Sequence, residues 1–172
     1  CASLIGNLVL RDDSFTSIAA IADAGSGSCI VARYSGSDIR LQRLDAKGTV
    51  RGSCVSRAKS GTDAAAADLA VDSAGRVYLL KDYYDSESGA WLSQELEIYD
   101  FDRLLFKRIQ CYDLSNEDGV RYAWLSAGTT LSLSGTADGK TLVRSVYDTD
   151  SAVQGPLVLK ANHSYPIAAD DG

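Results

Sequence analysis

Apolar and polar positions alternate in short runs along most of this chain, the period expected of half-buried strands. The clearest stretch is Ala67 to Ile109. Leu69-Ala70-Val71, Val77-Tyr78-Leu79-Leu80, Leu96-Glu97-Ile98-Tyr99 and Leu104-Leu105-Phe106-Lys107-Arg108-Ile109 are separated by turn chemistry. Asp72-Ser73-Ala74-Gly75 places an Asp before the turn and a Gly where a positive φ is wanted, which predicts a hairpin. The pattern therefore predicts four short antiparallel strands. Thr62-Asp63-Ala64-Ala65-Ala66-Ala67 reads as the one helix-like stretch, long enough for a single turn.

The same unit recurs. Ala20-Ile21-Ala22-Asp23-Ala24-Gly25, Ala70-Val71-Asp72-Ser73-Ala74-Gly75 and Ala123-Trp124-Leu125-Ser126-Ala127-Gly128 line up, each followed by a β-run. Leu41-Gln42-Arg43-Leu44-Asp45, Leu96-Glu97-Ile98-Tyr99-Asp100 and Arg144-Ser145-Val146-Tyr147-Asp148 repeat as third strands ending on Asp. A period of roughly fifty residues is that of a repeat architecture, and four strands per repeat is the size of one β-propeller blade. Repeats fall at about residues 17–55, 67–114 and 120–160.

Leu69-Ala70-Val71-Asp72-Ser73-Ala74-Gly75-Arg76-Val77-Tyr78, followed by Leu96-Glu97-Ile98-Tyr99-Asp100-Phe101-Asp102, resembles the NHL-type β-propeller repeat. Ser93-Gln94-Glu95 stands near the place of that family's Asn-His-Leu. The resemblance implies an all-β, propeller-like array of four-stranded antiparallel blades. It also implies a binding platform, with some enzymes among the relatives.

The 172 residues allow a single propeller-like domain, or a fragment of one, over 1–172. Ser3–Leu10 reads as the last strand of a partial blade. The C-terminus from Tyr165 to the Asp170-Asp171-Gly172 turn reads as the first strand of another. With no Met, the chain reads as a mature product or an excised segment. A net charge of −6 argues against nucleic acid and against an anionic membrane surface. No apolar run approaches the roughly eighteen residues of a membrane span, and no signal peptide is present. Cys1, Cys29, Cys54 and Cys111 lack metal-ligand spacing and read as small apolar side chains. A disulfide and a lipidated Cys1 stay open as alternatives for an exported protein.

Catalytic signatures are weak. Gly25-Ser26-Gly27-Ser28 joins two strands, so it reads as a hairpin rather than a phosphate cradle. Ser56-Arg57-Ala58-Lys59 matches the S-x-x-K of Ser/Lys acyl enzymes, but lies in a polar connector without partner motifs. His163 is the only His, with no nucleophile elbow in the chain. Asn162-His163-Ser164 is a formal glycosylation sequon. The recurring Asp pairs, Asp100 with Asp102 and Asp148 with Asp150, read as turn hydrogen bonding.

Recognition is expected in the insertion Asp82–Trp91, where aromatics and acids share a loop between the second and third strands. Tyr83, Tyr84, Asp85, Glu87 and Trp91 are the expected binding residues. Asp85, Glu87 and Glu95 have the composition of a calcium loop, but lack the Gly and Glu that such a loop needs. No cofactor or metal is implied. The leading expectation is a non-catalytic ligand- or protein-binding domain, the extracytoplasmic sensing or interaction part of a larger bacterial protein. Its partner would be a peptide, glycan, small molecule or protein. One alternative is a metal-assisted lactonase using Asp23, Asp68 and Asp72. Another is a structural module that self-associates through open strand edges at Ser3–Leu10 and Gly155–Lys160.

Overall fold

The computed structural model describes residues 18–102, 105–115 and 119–167. Three four-stranded antiparallel sheets account for nearly all of them, and in each sheet neighbouring strands are consecutive in sequence. The first sheet holds β1 (Ile18–Asp23), β2 (Cys29–Ser35), β3 (Asp38–Leu44) and β4 (Val50–Ser56). The second holds β5 (Thr62–Val71), β6 (Val77–Asp85), β7 (Trp91–Asp102) and β8 (Leu105–Asp113). The third holds β9 (Arg121–Ala127), β10 (Thr130–Thr136), β11 (Thr141–Asp148) and β12 (Leu159–Pro166). A short helix, α1 (Thr149–Gln154), connects β11 to β12. The arrangement is the propeller-like array of blades that the repeat predicts. The Ser3–Leu10 strand, Cys1 and the Asp170-Asp171-Gly172 turn lie outside the described residues.

The first strands are innermost, with β5 packed between β1 and β9. The second blade is consequently covered on both faces. Period-two alternation then divides its side chains between two cores. Leu69, Val77, Leu79 and Tyr83 pack against Ile30, Ala32 and Leu41 of the first blade. Tyr78, Leu80, Leu96 and Ile98 pack against Leu125, Leu131 and Leu133 of the third, with Ala152 of α1 closing the edge. Each such fully buried side chain contributes about 1.5–3 kcal/mol. Double coverage explains why β6 reads as a run of apolar residues rather than a clean alternation: Val77 through Tyr83 are all buried. Exposure rises outwards, and β12 is solvent-facing along almost its whole length.

The expected turn chemistry is present. Asp72 Oδ1 accepts the Ala74 and Arg76 N–H groups, both at 2.9 Å. Gly75 supplies the positive φ of 82° that a side chain would strain. Asp45 and Asp138 hold the β3–β4 and β10–β11 turns in the same way. Gly25-Ser26-Gly27-Ser28 is a hairpin loop, closed by the Ser28 N–H on the Gly25 carbonyl at 2.8 Å.

Four expectations need correction. Thr62–Ala67 is strand, the first half of β5, paired with Lys81–Asp85 through a bulge at Ala66/Asp68. Alanine is the best helix former, but propensity is a weak preference that packing overrides, and small side chains suit an inner strand whose neighbours approach closely. The helix is instead α1, where Asp148 serves as N-cap and accepts the Ser151 N–H at 3.0 Å. Asp82–Trp91 is half strand: β6 continues to Asp85, Trp91 opens β7, and the turn between them is Ser86–Ala90. Tyr165 and Pro166 end β12, paired with Leu142 and Thr141, rather than beginning another blade.

Gly135 sits at the β9–β10 register shift, where the strands come unusually close. A Cβ there would lie 2.0 Å from the Arg121 carbonyl oxygen and 2.5 Å from Tyr122 Cα. Gly135→Ala should therefore destabilise the protein by ~3 kcal/mol, as overpacking against backbone does, with a lower urea midpoint and an unchanged slope.

Candidate functional site

Asp82 is the organising residue of one open recess among the described residues. Positions 82 and 84 of β6 share a face by strand alternation, and the paired strand β7 places Gln94 opposite Asp82 and Trp91 opposite Tyr84. The carboxylate of Asp82, itself buried, receives donors on both oxygens. Trp91 Nε1 donates to Oδ1 at 3.1 Å and Gln94 Nε2 at 2.7 Å. Arg121 Nη2 donates to Oδ2 at 2.6 Å, Arg121 Nε at 3.2 Å and the Tyr84 hydroxyl at 3.2 Å. Arg121 comes from β9 of the next blade. Its guanidinium also donates to the Tyr84 hydroxyl. It lies 5.5 Å from the Tyr84 ring centroid and 5.6 Å from that of Trp91, within cation–π range of both. Burial and the Asp82 charge push the Tyr84 phenol above its ordinary value, so it stays a neutral donor.

This cluster forms one wall of an open cleft of about 550 Å³ on the inner-strand side of the array. Ala65, Ala66 and Ala67 of β5 line it, with Tyr34 reaching in from the first blade and Thr136 from the third. Small side chains on β5 leave the space, and aromatic rings bound it.

The expected binding residues divide. Tyr84 and Trp91 belong to the cluster. Tyr83 does not: alternation turns it to the opposite face, where it is buried and its hydroxyl donates to Glu95 at 2.8 Å. Asp85 and Glu87 belong to the β6–β7 turn, where Asp85 Oδ1 accepts the Ser88 N–H and the Ser88 hydroxyl, both at 2.7 Å. Those bonds hold the Asp85 carboxyl below its usual range and give it a turn-forming role in place of calcium coordination. Asp82, Gln94 and Arg121 were not anticipated. Period two could have linked Asp82 to Tyr84; nothing local in the sequence brings Arg121 to either.

On the other face of the second blade lies a buried ionic cluster. Lys81 Nζ is 2.9 Å from Glu97 Oε1, and both side chains are about 1% exposed. Ser56 of the first blade donates to Glu97 Oε2 at 2.5 Å and accepts from Lys81 Nζ at 2.8 Å. Tyr99 donates to Oε2 at 2.6 Å, and Arg108 Nη1 to Oε1 at 3.0 Å. Burial pushes the Glu97 carboxyl up, but the Lys81 ammonium and the Ser56 and Tyr99 hydroxyls hold it below its ordinary value. Ser56 ends β4 rather than lying in a connector, and it meets Lys81 rather than Lys59, which pairs with Glu95 at 2.6 Å. A Ser/Lys acyl dyad needs an unprotonated lysine and an accessible hydroxyl. Here the ammonium is matched to a carboxylate and the hydroxyl is buried.

Ligand-type atoms of Glu95, Glu97 and Cys111 also lie within 4.8 Å of one another. Lys59, Lys81 and Arg108 already neutralise both carboxylates. Burial, then Glu95, pushes the Cys111 thiol up to about 11, so it stands protonated beside Glu95. Cys29, Cys54 and Cys111 are free, and burial raises Cys54 to about 12.

Of the three acids of the lactonase reading, Asp23 and Asp72 line one open recess of about 500 Å³ but serve their own turns, and Asp68 lies outside it. Asp23 accepts the Gly25 N–H at 2.8 Å, and Asp72 holds its turn together with Arg76 and the Tyr78 hydroxyl. Asp68 bridges blades, accepting the Leu125 N–H at 2.7 Å. His163 is exposed on β12, stacked with Tyr165 at a centroid distance of 6.3 Å.

The Lys81–Glu97 pair makes a sharp stability prediction. Glu97→Gln should cost ~3–5 kcal/mol, because it strands a buried ammonium. Replacing both partners by Lys81→Met and Glu97→Leu should recover much of that loss. Since the folded carboxyl titrates below its ordinary value of 4.5, its contribution is present above that pH and lost as pH falls through the folded value. Urea unfolding between about pH 5 and 3 should show a smaller acid loss for Glu97→Gln than for the wild type.

No protein-family model matches the chain, and no curated protein matches it in sequence. Among solved structures, it superposes on the β-propeller domain of Nup133 from Vanderwaltozyma polyspora with a TM-score of 0.52 and 13% identity. The match covers 94% of this chain and 51% of that one, so the chain spans about half the length of the domain it resembles. Among the described residues no helix is long and apolar enough to cross a membrane. At so low an identity the likeness speaks to fold alone. With three four-stranded antiparallel sheets gathered about β1, β5 and β9, the chain has a β-propeller-like fold.

Proposed function

We propose that this chain is a non-catalytic binding domain that holds a segment of a partner protein in the cleft beside Asp82. The observation that carries the reading is the preformed wall of Tyr84 and Arg121, held from two blades onto one buried carboxylate that Trp91 also bonds from behind. Tyr, Trp and Arg dominate the energetics of protein interfaces, and they contribute most where they are held rigid before binding. An open cleft with a small-residue wall suits an extended chain better than an enclosed metabolite. The propeller-like fold and the repeat's resemblance to NHL-type propellers, which serve mostly as binding platforms, support the same reading. Among the described residues Asp23, Asp45, Asp72 and Asp138 hold turns, and Glu95 and Glu97 sit in ion pairs.

The test is selection of peptides from a displayed random library on the immobilised chain, followed by affinity measurement on variants. Selected peptides should bind Tyr84→Ala and Tyr34→Ala about tenfold or more weaker than the wild type, the loss expected of an interface anchor. Thermal melts should show both variants folded. A library that yields no binders, or binders indifferent to both tyrosines, would sink the proposal.

A further inference from the structure

We infer that the segment taken by the cleft is basic, and that one of its arginine or lysine side chains exchanges with Arg121 between Tyr84 and Trp91. This rests on the reading of the cleft as a binding site and adds the chemistry of what enters it. The argument begins with what holds the cage together. Asp82 Oδ1 is fixed by Trp91 Nε1 and Gln94 Nε2. Gln94 is fixed in turn by the Tyr122 backbone, donating to its carbonyl at 2.7 Å and accepting its N–H at 3.0 Å. None of these bonds involves the guanidinium. The Trp91 ring and the carboxylate are thus held without the guanidinium, and Tyr84 keeps its own bond to Oδ2 at 3.2 Å. Arg121 is the most exposed member of the cluster, its side chain 46% exposed against 4% for its carboxylate partner.

Charge selects the sign of the visitor. Arg121 is the only cation among the described residues lining the cleft. Asp63 is exposed and pairs with Tyr84 across the β5–β6 ladder, and Asp85 and Glu87 are in the adjoining turn. Removing Arg121 from the cage leaves an acidic, aromatic recess on a chain of net charge −6. An acidic segment would meet these carboxylates at close range. A basic one replaces the internal cation with its own and gains the uncompensated acids around it. The resident Arg121 then acts as an internal competitor, weakening the observed affinity by the fraction of time it fills the cage.

The inference can be tested by fluorescence anisotropy with two labelled peptides, alternating arginine–glycine and alternating glutamate–glycine. The arginine peptide should bind the wild type, bind Arg121→Ala about tenfold more tightly as the competitor is removed, and bind Tyr84→Ala more weakly. The glutamate peptide should not bind. If Arg121→Ala unfolds, the wild type still decides: the arginine peptide should shift the indole N–H resonance of Trp91 and leave that of Trp124 in place. Three results would overturn the inference while leaving the cleft as a binding site. These are no tightening in Arg121→Ala, glutamate-peptide binding that depends on Arg121, and a Trp91 signal unmoved by the arginine peptide. Arginine-peptide binding that Tyr84→Ala leaves intact would also overturn it, as diffuse charge attraction. Failure of both peptides, together with library binders indifferent to Tyr84, would bring down the binding reading itself.

Discussion

The second blade has no free face, and most of the structure follows from that. A sheet covered on both sides must give every polar side chain in its middle strands a partner inside the protein, because water cannot serve. Two consecutive residues of β6 meet this demand in opposite directions. Lys81 points towards the first blade and is matched by Glu97, Ser56 and Arg57. Asp82 points towards the third and is matched by Gln94, Trp91 and Arg121. Each contact to a neighbouring blade also fixes the angle between blades, so the polar pairs specify geometry that apolar packing alone would leave loose.

The same constraint separates structure from function among groups that look alike on paper. Ser56 with Lys81, and Glu95 with Glu97 and Cys111, have the composition of catalytic or metal sites. Ser56, Lys81 and Glu97 are closed because their charges are matched in the interior, and Glu95, nearer the surface, is neutralised by Lys59 with no cleft beside it among the described recesses. The Asp82 cluster has similar chemistry but opens to solvent on one side, through a half-exposed arginine and beside alanines too small to fill the space. Access, rather than residue type, makes one cluster a candidate site and the other a staple.

Much of the fold was legible because it is local. Asp before a turn and Gly after it, and apolar runs of strand length between them, are short-range signals that recur three times. What failed was also local in origin. Thr62–Ala67 carries helix propensity that packing between β1 and β9 overrides. The helix at Thr149–Gln154 depends on the Asp148 cap, which sequence reading had assigned to a turn. The candidate site was half legible: Tyr84 and Trp91 stood out as aromatics near a hairpin. Tyr83 was misplaced because one residue of strand shifts a side chain to the opposite face. Arg121 was invisible, being 37 residues from Tyr84 and brought near only by the packing of one blade on the next.

The Lys81–Glu97 pair also bears on how such a chain can change over generations. Losing either partner alone strands a charge in the interior, whereas exchanging both for apolar residues relieves the burden. A lineage therefore faces a valley between two acceptable states, crossed most easily by two substitutions arriving together or by a spare margin of stability gained elsewhere. Positions 81 and 97 should drift as a linked couple, frozen for long intervals and then replaced in tandem, while the outward-facing residues of β12 wander freely.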